Sequence, residues 1–306
     1  MLNRQILRIK IFKTVYAFAE NPTMTLAQTQ AHFDALCQGT RDLYLFMLSL
    51  IPALTRQAES RLVAAQGKFH PTEEEKNPNR KFVENSIAPL LSEDPDFQKI
   101  LSKKKLSWDQ YDVFLWHLYD TVREKDYFKS YMAEPSRSLK EDAALFCKIF
   151  ENELEDNAEL EPILEGLSIW WDNDLAYALT YCCRTVKEFA KGRRWSLPEL
   201  YLSQMEGQTG KESDQDFAYA VLRRAITDFD KDMQTIDELT PKWDIKRVCT
   251  TDLALIICGM AEAAAFPSQP AKVIMNEYVE ISKYYSTPES SAFVNGLLDK
   301  IINIKK

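Results

Sequence analysis

Glycine is scarce in this sequence, and its scarcity argues against a protein built from β-sheets. Eight glycines occur in 306 residues, well under half of the usual share of about 7%. Sheet proteins use glycine at turns and bulges, whereas long stretches rich in Ala, Leu, Glu and Lys favour helices joined by short connections. No β pattern and no internal repeat is visible. We therefore expect an all-α protein.

Residue patterns for catalysis and metal binding are also missing. The three histidines lie out of helical reach of one another and of any cysteine, and the six cysteines show no CxxC spacing. Zinc sites need such spacings, and helical di-metal sites need Glu-x-x-His pairs. No Gly-x-Ser-x-Gly elbow is present either. We expect no catalytic residue, no metal and no cofactor, and we expect reduced cysteines that act as small apolar side chains.

Apolar runs of membrane-spanning length are the third absence. No stretch approaches the ~20 apolar residues that cross a bilayer. At the N-terminus, basic residues interrupt the apolar ones, whereas a secretory signal has a clean apolar stretch after its basic end. The sequence therefore predicts a cytoplasmic protein with no membrane partner.

Helical periodicity runs through most of the chain. It predicts helices over about 3–19, 26–65, 107–125, 139–157, 163–191, 214–239, 244–266, 271–285 and 288–304. The second of these patterns is predicted to break near Gly39 and again at Pro52. Between residues 66 and 105, prolines among charged residues predict an irregular connection with one or two short helices.

Two short motifs predict helix starts. Ser196-Leu-Pro-Glu199 has the pattern of a capping box, in which serine and glutamate each satisfy a free backbone amide. Thr287-Pro288 offers a capping hydroxyl followed by a proline, which is tolerated in the first turn. We expect a helix to begin at each motif.

Two other features resemble binding sites only superficially. Gly207-Gln-Thr-Gly210-Lys211 has two residues between its glycines, whereas a phosphate loop has four, and no serine or threonine follows the lysine. The acidic run over residues 151–165 and the Trp170-Trp171-Asp-Asn-Asp174 cluster are typical of a solvated helix face. Neither feature predicts a nucleotide or metal site.

Positive charge is concentrated at the N-terminus. The whole chain carries −8, but residues 1–19 carry +4 and no acid. Arg4 and Arg8 are four residues apart and therefore share one face of a helix, with Lys10 and Lys13 close by. Such a pattern fits either a solvated helix start or a local RNA-binding surface, whereas the overall charge argues against nonspecific binding of polyanions.

The C-terminal segment carries the most specific pattern. Asn295-Gly296 lies within the last predicted helix, where glycine costs about 1 kcal/mol. We expect this glycine to admit a neighbouring helix or a ligand backbone at close range. The residues of this segment that follow a recognisable pattern are Pro270, Lys272, Val273, Asn276, Glu277, Val279, Glu280 and Lys283, and then Ser290, Phe293, Val294, Asn295, Gly296, Leu298, Asp299, Lys300 and Ile301.

At these spacings the C-terminal residues resemble the NusB family of bacterial transcription antitermination factors. Two preceding segments, Trp243-Asp-Ile-Lys-Arg247 and Thr251-Asp-Leu-Ala-Leu-Ile256, also resemble family segments. So does the first helix, with its two arginines and its Val-Tyr end at Tyr16. The resemblance covers about residues 1–19 and 214–304.

The resemblance implies an all-α fold of two packed helical subdomains, with extra helices inserted between the first helix and the C-terminal bundle. We accordingly expect an N-terminal helical region over 1–213, in which about 20–213 is an elaboration, and a C-terminal NusB-like bundle over 214–306. Family members bind the boxA element of nascent ribosomal RNA together with NusE, a protein of the small ribosomal subunit. The pair joins a complex on RNA polymerase that suppresses termination.

The resemblance also implies roles for individual residues. Arg4 and Arg8 match arginines at the family's RNA surface, and Lys10 adds charge beside them. Glu289 and Phe293 fall at the start of the last helix, which the family also uses for RNA. The positions that match those facing NusE are Tyr16 and Asp252.

Departures from the family pattern keep one alternative open. Gln5, Ile6, Leu253 and Ile257 stand where members often have basic residues. The chain could therefore be a protein–protein adaptor that keeps the NusE surface and has lost specific RNA binding. NusB-like domains also occur fused to RNA cytosine methyltransferases, but this chain ends five residues after Ile301 and has no α/β portion, so we expect no enzyme.

Overall fold

The computed structural model describes residues 1–201, 213–240 and 248–304, with side chains through residue 302. The glycine loop around 207–211 and the tryptophan segment 243–247 lie outside the described residues. The helices are α1 (Arg4–Glu20), α2 (Leu26–Leu48), α3 (Leu50–Gln66), α4 (Glu73–Lys76), α5 (Ile87–Ser92), α6 (Pro95–Lys104), α7 (Asp112–Glu124), α8 (Asp126–Ala133), α9 (Leu139–Glu153), α10 (Leu160–Leu167), α11 (Leu175–Phe189), α12 (Asp214–Thr227), α13 (Phe229–Leu239), α14 (Thr250–Ala265), α15 (Ala271–Tyr285) and α16 (Ser290–Ile304). A 3-10 turn, Ile169–Trp171, precedes α11. The all-α prediction is confirmed.

Gly39 lies inside α2, so the predicted break at this residue is wrong. A Cβ atom at Gly39 would lie 2.7 Å from both the Cβ and the carbonyl oxygen of Trp170. The glycine therefore serves close packing and does not end the helix. The actual break comes at Ser49, and Pro52 lies in the first turn of α3, where a missing amide proton costs nothing.

We expect Gly39→Ala to lower the free energy of unfolding by about 1–3 kcal/mol, because the backbone of Trp170 would have to move. The higher helix propensity of alanine, about 1 kcal/mol, would offset only part of this loss. Gly166 in α10 is the matched control, since no atom lies within 4 Å of a Cβ placed there. Thermal unfolding of both alanine variants tests the prediction, and equal shifts in the same direction would contradict it.

The predicted helix start at Ser196 is also wrong. The chain has no regular structure over residues 193–199. Just beyond, the carbonyl of Leu200 accepts a hydrogen bond of 2.8 Å from the amide of Leu2, and Tyr201 forms a parallel β-bridge with Leu2. Pairing with another part of the chain holds these residues extended, so their backbone groups cannot make the first turn of a helix. The connection over 66–105 contains three short helices, α4, α5 and α6, which is more than the one or two predicted.

Two compact units make up the chain. Unit 1 comprises residues 1–38 and 199–306, and unit 2 comprises residues 39–198. In unit 1, α1 packs against α12 and α14, so the first helix joins the C-terminal helices. The reason is the composition of α14, whose side chains from Leu253 to Met260 are all buried and therefore need helices around them.

Aromatic packing forms much of the core of unit 2. Trp108 stacks on Phe46 with ring centroids 4.1 Å apart and on Phe114 at 5.6 Å. Trp171 stacks on the same Phe46 at 5.4 Å. The indole nitrogen of Trp108 donates a hydrogen bond of 3.1 Å to the carbonyl of Phe46, so its polar group is satisfied in the interior.

Buried small side chains include five of the cysteines, and Cys249 is exposed. All six thiols are free, and the five buried ones occupy interior positions as expected for small apolar residues, whereas Cys249 does not. Within the described residues, no helix combines the length and the apolar character that a bilayer crossing requires.

Candidate functional site

Arg8 of α1 lies at the centre of a buried ion cluster in unit 1. Its guanidinium contacts both carboxylate oxygens of Glu262 in α14, at 2.6 and 2.9 Å, and donates to Glu277 in α15 at 3.1 Å. The hydroxyl of Tyr278 donates to the same Glu262 at 2.8 Å. Arg8 is 5% exposed and Glu262 is 0% exposed. The cluster therefore joins three helices inside the unit.

The electrostatics of this cluster follow from burial and opposite charge. Burial alone would lower the pKa of Arg8, but hydrogen bonding and the charge of Glu262 outweigh it and raise the pKa above its ordinary value. Burial, together with the carboxylate of Glu262, raises the pKa of Tyr278 and that of the Cys258 thiol. Arg8 is thus held as a cation, whereas the tyrosine and the thiol are held neutral.

Arg4 lies on the same side of α1 and shares an aromatic neighbour with Arg8. The two guanidinium groups lie over the ring of Phe217 in α12, at 4.6 Å for Arg4 and 5.2 Å for Arg8. Arg4 also pairs with Asp214 at 3.1 Å, a residue in the first turn of α12, where a carboxylate is favoured by the helix dipole. The side chain of Arg4 is 37% exposed, so it also reaches solvent.

Lys10 is 0% exposed and lies among the buried side chains of α1. The structure therefore places two of the three basic residues proposed from the sequence, Arg8 and Lys10, in the interior of unit 1. Direct RNA contact by these two side chains stays a prediction, and the observed contacts of Arg8 with α14 and α15 give it a role in holding α1 to its neighbours.

Lys13 and Tyr16 belong to a different side of α1. The ammonium of Lys13 lies 5.5 Å from the ring centroid of Tyr285, at the end of α15, and Phe12 packs on the same ring at 5.4 Å. Tyr16, one helical turn beyond Lys13, is 39% exposed. The ammonium of Lys13 thus lies over the ring of Tyr285 at the point where the chain leaves α15 for α16, and Tyr16 follows one turn later on α1.

Asp252, in the first turn of α14, holds the connection between α15 and α16. Its two carboxylate oxygens accept hydrogen bonds from the hydroxyls of Ser286, at 2.7 Å, and Ser290, at 2.8 Å. Thr287 contacts the Ser290 hydroxyl at 3.0 Å. The last helix begins at Ser290, two residues after Pro288. Because Asp252 is only 6% exposed, it fixes this connection from the inside.

Glu289 and Phe293 lie where the connection becomes α16. Glu289 is exposed, Phe293 is half-buried, and the amide of Phe293 donates to the Glu289 carbonyl at 3.3 Å. Gly296, one turn further on, has no atom within 4 Å of a Cβ placed there. The expectation that this glycine admits a neighbouring helix is wrong, because it faces open space. The close helix approach in this unit occurs instead at Gly259, where a Cβ would meet Leu298 at 2.7 Å.

Sequence reasoning missed Glu262, Phe217 and Tyr285 as members of this region. Glu262 lies 254 residues from Arg8 along the chain, and no spacing rule connects residues so far apart. One signal was available, because a glutamate inside the apolar run of α14 needs a buried cation. Within the described residues, no group of three or more His, Cys, Asp or Glu side chains is arranged to hold a metal ion.

Comparison with known proteins gives a consistent result. The model of the NusB family matches residues 184–303. The transcription antitermination protein NusB of Salinibacter ruber is 34% identical over 90 residues, which cover 29% of this chain and 56% of the relative. NusB of Geobacter sulfurreducens is 30% identical over 115 residues, covering 38% of this chain and 82% of the relative. No solved structure matches the chain.

The share of each relative's length that the chain covers varies among the NusB relatives. The chain spans 56% and 60% of the length of the Salinibacter ruber and Syntrophotalea carbinolica relatives. It spans 72% of NusB from Finegoldia magna, with which it is 30% identical over 99 residues. The residues matched by the family model include α12, α14 and α15 and all but the last residue of α16, which belong to unit 1 together with α1. The chain belongs to the NusB family.

Proposed function

We propose that this protein is a transcription antitermination factor that binds boxA RNA together with NusE and joins an antitermination complex on RNA polymerase. Its membership of a family whose relatives carry the name transcription antitermination protein supports this function. The observation that carries the proposal is the contact of Phe12 and Lys13 of α1 with Tyr285, the last residue of α15, directly before the connection to α16.

The RNA surface in this proposal runs from the exposed side of α1 to the start of α16. Lys13 and the solvent-exposed part of Arg4 attract phosphate, and the ring of Phe293 stacks on an unpaired base. Glu289 can accept a hydrogen bond from a base amino group, as carboxylates do with cytosine. Few cations are available, so the chain alone binds RNA weakly, and NusE tightens binding by adding a second surface.

The NusE surface in this proposal is centred on Tyr16. Its exposed ring is amphipathic, and such side chains are enriched at protein interfaces. Asp252, the other residue proposed from the sequence, acts through its hydrogen bonds to Ser286 and Ser290. It keeps the connection to α16 in one conformation, so that RNA and NusE meet a preformed surface.

Phe293→Ala is expected to weaken binding of a boxA oligonucleotide by about 5- to 150-fold, because one stacking contact contributes about 1–3 kcal/mol. Fluorescence anisotropy with boxA RNA and a scrambled RNA, with and without NusE, measures the effect. Phe69→Ala is the matched control, since Phe69 is 93% exposed and lies in unit 2. Equal affinities of the wild-type protein for the two RNAs, even with NusE present, would refute RNA recognition.

The adaptor remains the second candidate, and burial of Arg8 and Lys10 favours it. Both side chains are buried, which leaves fewer exposed cations for phosphate contacts than the sequence suggested. An adaptor would bind NusE in the absence of RNA and would lose this binding in a Tyr16→Ala variant. It would show no boxA preference in the anisotropy experiment.

A further inference from the structure

Unit 2 carries a concentrated patch of positive charge that the family resemblance does not explain. The unit as a whole carries −5, and all of its residues from 39 to 183 lie outside the family match. Two short basic runs occur in it, Lys103-Lys104-Lys105 at the end of α6 and Arg193-Arg194 after α11. These runs are about 90 residues apart in sequence, and the residue that follows the second run, Trp195, contacts α6.

Trp195 attaches the second run to α6. Its ring packs edge-on against Phe97 of α6 with centroids 5.0 Å apart. Its indole nitrogen donates to the buried hydroxyl of Tyr44 at 3.2 Å. Because Trp195 is 8% exposed and held on two sides, the backbone of Arg194 is held near Phe97, in the first turn of α6.

The segment after Trp195 runs along α6 toward α2. The carbonyl of Pro198 accepts a hydrogen bond of 3.5 Å from Arg41. The neighbouring Asp42 pairs with Lys104 at 2.8 Å. From Phe97 to Lys104, α6 rises roughly 10 Å, and an extended segment from residue 195 to 198 spans about the same length. The two elements therefore lie side by side.

The resulting patch, which we name the α6 basic patch, contains six cations, and the carboxylates on or beside the same elements are Asp42, Asp94 and Asp96. Its cations are Arg41, Lys99, Lys103, Lys104, Lys105 and Arg194. Asp42 pairs with Lys104, and Asp94 and Asp96 belong to the opposite, N-terminal end of α6. Within the described part of the chain, no ion pair involves Lys99, Lys103 or Lys105, and all three side chains are exposed. Lysines in the last turn of α6 interact favourably with the helix dipole. This interaction does not account for the positions of Lys99 and Arg194.

We propose that the α6 basic patch binds the phosphate backbone of RNA, without reading its sequence. Lysine is depleted at protein–protein interfaces, whereas it supplies phosphate contacts in complexes with nucleic acids. The aromatic rings beside the patch, Phe97 and Trp195, are buried, so they are not available to stack on bases. The choice of RNA as the polyanion rests on the proposed function, whereas the patch itself is independent of the boxA surface.

The test is a triple variant, Lys99→Gln with Lys103→Gln and Lys105→Gln, assayed with oligo(U) RNA that lacks boxA. Each phosphate contact to a single strand contributes about 0.7 to the slope of log affinity against log salt. Loss of three contacts should therefore reduce the slope by about 2 and lower the affinity at low salt at least tenfold. Fluorescence anisotropy over a salt series measures both quantities.

A matched control changes three exposed lysines of the same unit, Lys129, Lys140 and Lys187, to Gln. It alters the net charge equally, so an equal reduction in slope in the control would overturn the proposal. If the triple variant lost affinity for polyglutamate but kept its affinity for oligo(U), the patch would instead be assigned to an acidic protein partner. The ratio of boxA to scrambled affinity should stay unchanged in the triple variant, which separates this test from that of the proposed function.

Discussion

Arg8→Ala should lower the free energy of unfolding by about 3–5 kcal/mol, because it leaves a charge without its partner inside unit 1. Glu262 is fully buried, and the guanidinium of Arg8 contacts both of its carboxylate oxygens. Tyr278 would remain as a hydrogen-bond donor but cannot neutralise the carboxylate. Chemical unfolding followed by far-UV circular dichroism measures the loss.

Two further variants make the Arg8 experiment decisive. Arg4→Ala removes a partly exposed pair with Asp214 and should cost about 1 kcal/mol or less. Arg8→Met combined with Glu262→Leu removes both charges and should recover most of the stability, as replacement of buried pairs by apolar residues often does. A loss for Arg8→Ala no greater than that for Arg4→Ala would contradict the assigned structural role.

The double variant, Arg8→Met with Glu262→Leu, also tests whether Arg8 contacts RNA. It is expected to fold without Arg8, so its boxA affinity reports on RNA contact separately from stability. An unchanged affinity would assign Arg8 to the core alone, whereas a lower affinity with a smaller salt slope would return Arg8 to the RNA surface.

Trp108→Ala is the second substitution with a large expected effect, about 3–5 kcal/mol, and it acts on unit 2. Trp108 is 2% exposed and stacks between Phe46 and Phe114. Alanine would leave a cavity among three aromatic rings and would remove the hydrogen bond to the Phe46 carbonyl. Hydrogen–deuterium exchange should show faster exchange in α7 and in the C-terminal part of α2, the helices that contribute Phe114 and Phe46 to this cluster.

The control for this experiment is Trp116→Ala on the outer side of α7. Trp116 is 50% exposed, and its ring lies 5.2 Å from the guanidinium of Arg61. Its loss should cost about 0.5–1 kcal/mol. If Trp108→Ala changed stability no more than Trp116→Ala, the aromatic cluster would not be the centre of unit 2.

Helices were predictable from the sequence wherever periodicity and end signals agreed. Residues 271–285 form α15 as predicted, because Pro270 precedes a regular apolar stripe. The prediction that a helix starts at Ser196 was wrong because backbone pairing between Leu2 and residues 200–201 overrides the local capping pattern. The predicted helix break at Gly39 was wrong for a similar reason. A residue distant in sequence, Trp170, packs against this glycine and leaves no room for a side chain.

The site was predictable in its elements but not in the direction of its side chains. Helical spacing correctly grouped Arg4 with Arg8, and both lie over Phe217. The spacing could not show that this face turns inward, because that depends on a buried glutamate in α14. The pairing of Lys13 with Tyr285 likewise joins residues about 270 apart in sequence.

The aromatic cluster around Trp108 makes unit 2 optically distinct. Five of the six tryptophans fall within residues 39–198, so tryptophan fluorescence reports mainly on the folding of unit 2. Stacked rings in a fixed chiral environment also give a near-UV circular dichroism signal, which disappears when tertiary packing loosens even though helices remain. Loosening of unit 2 can thus be followed separately from helix loss in the whole chain, without attaching a label.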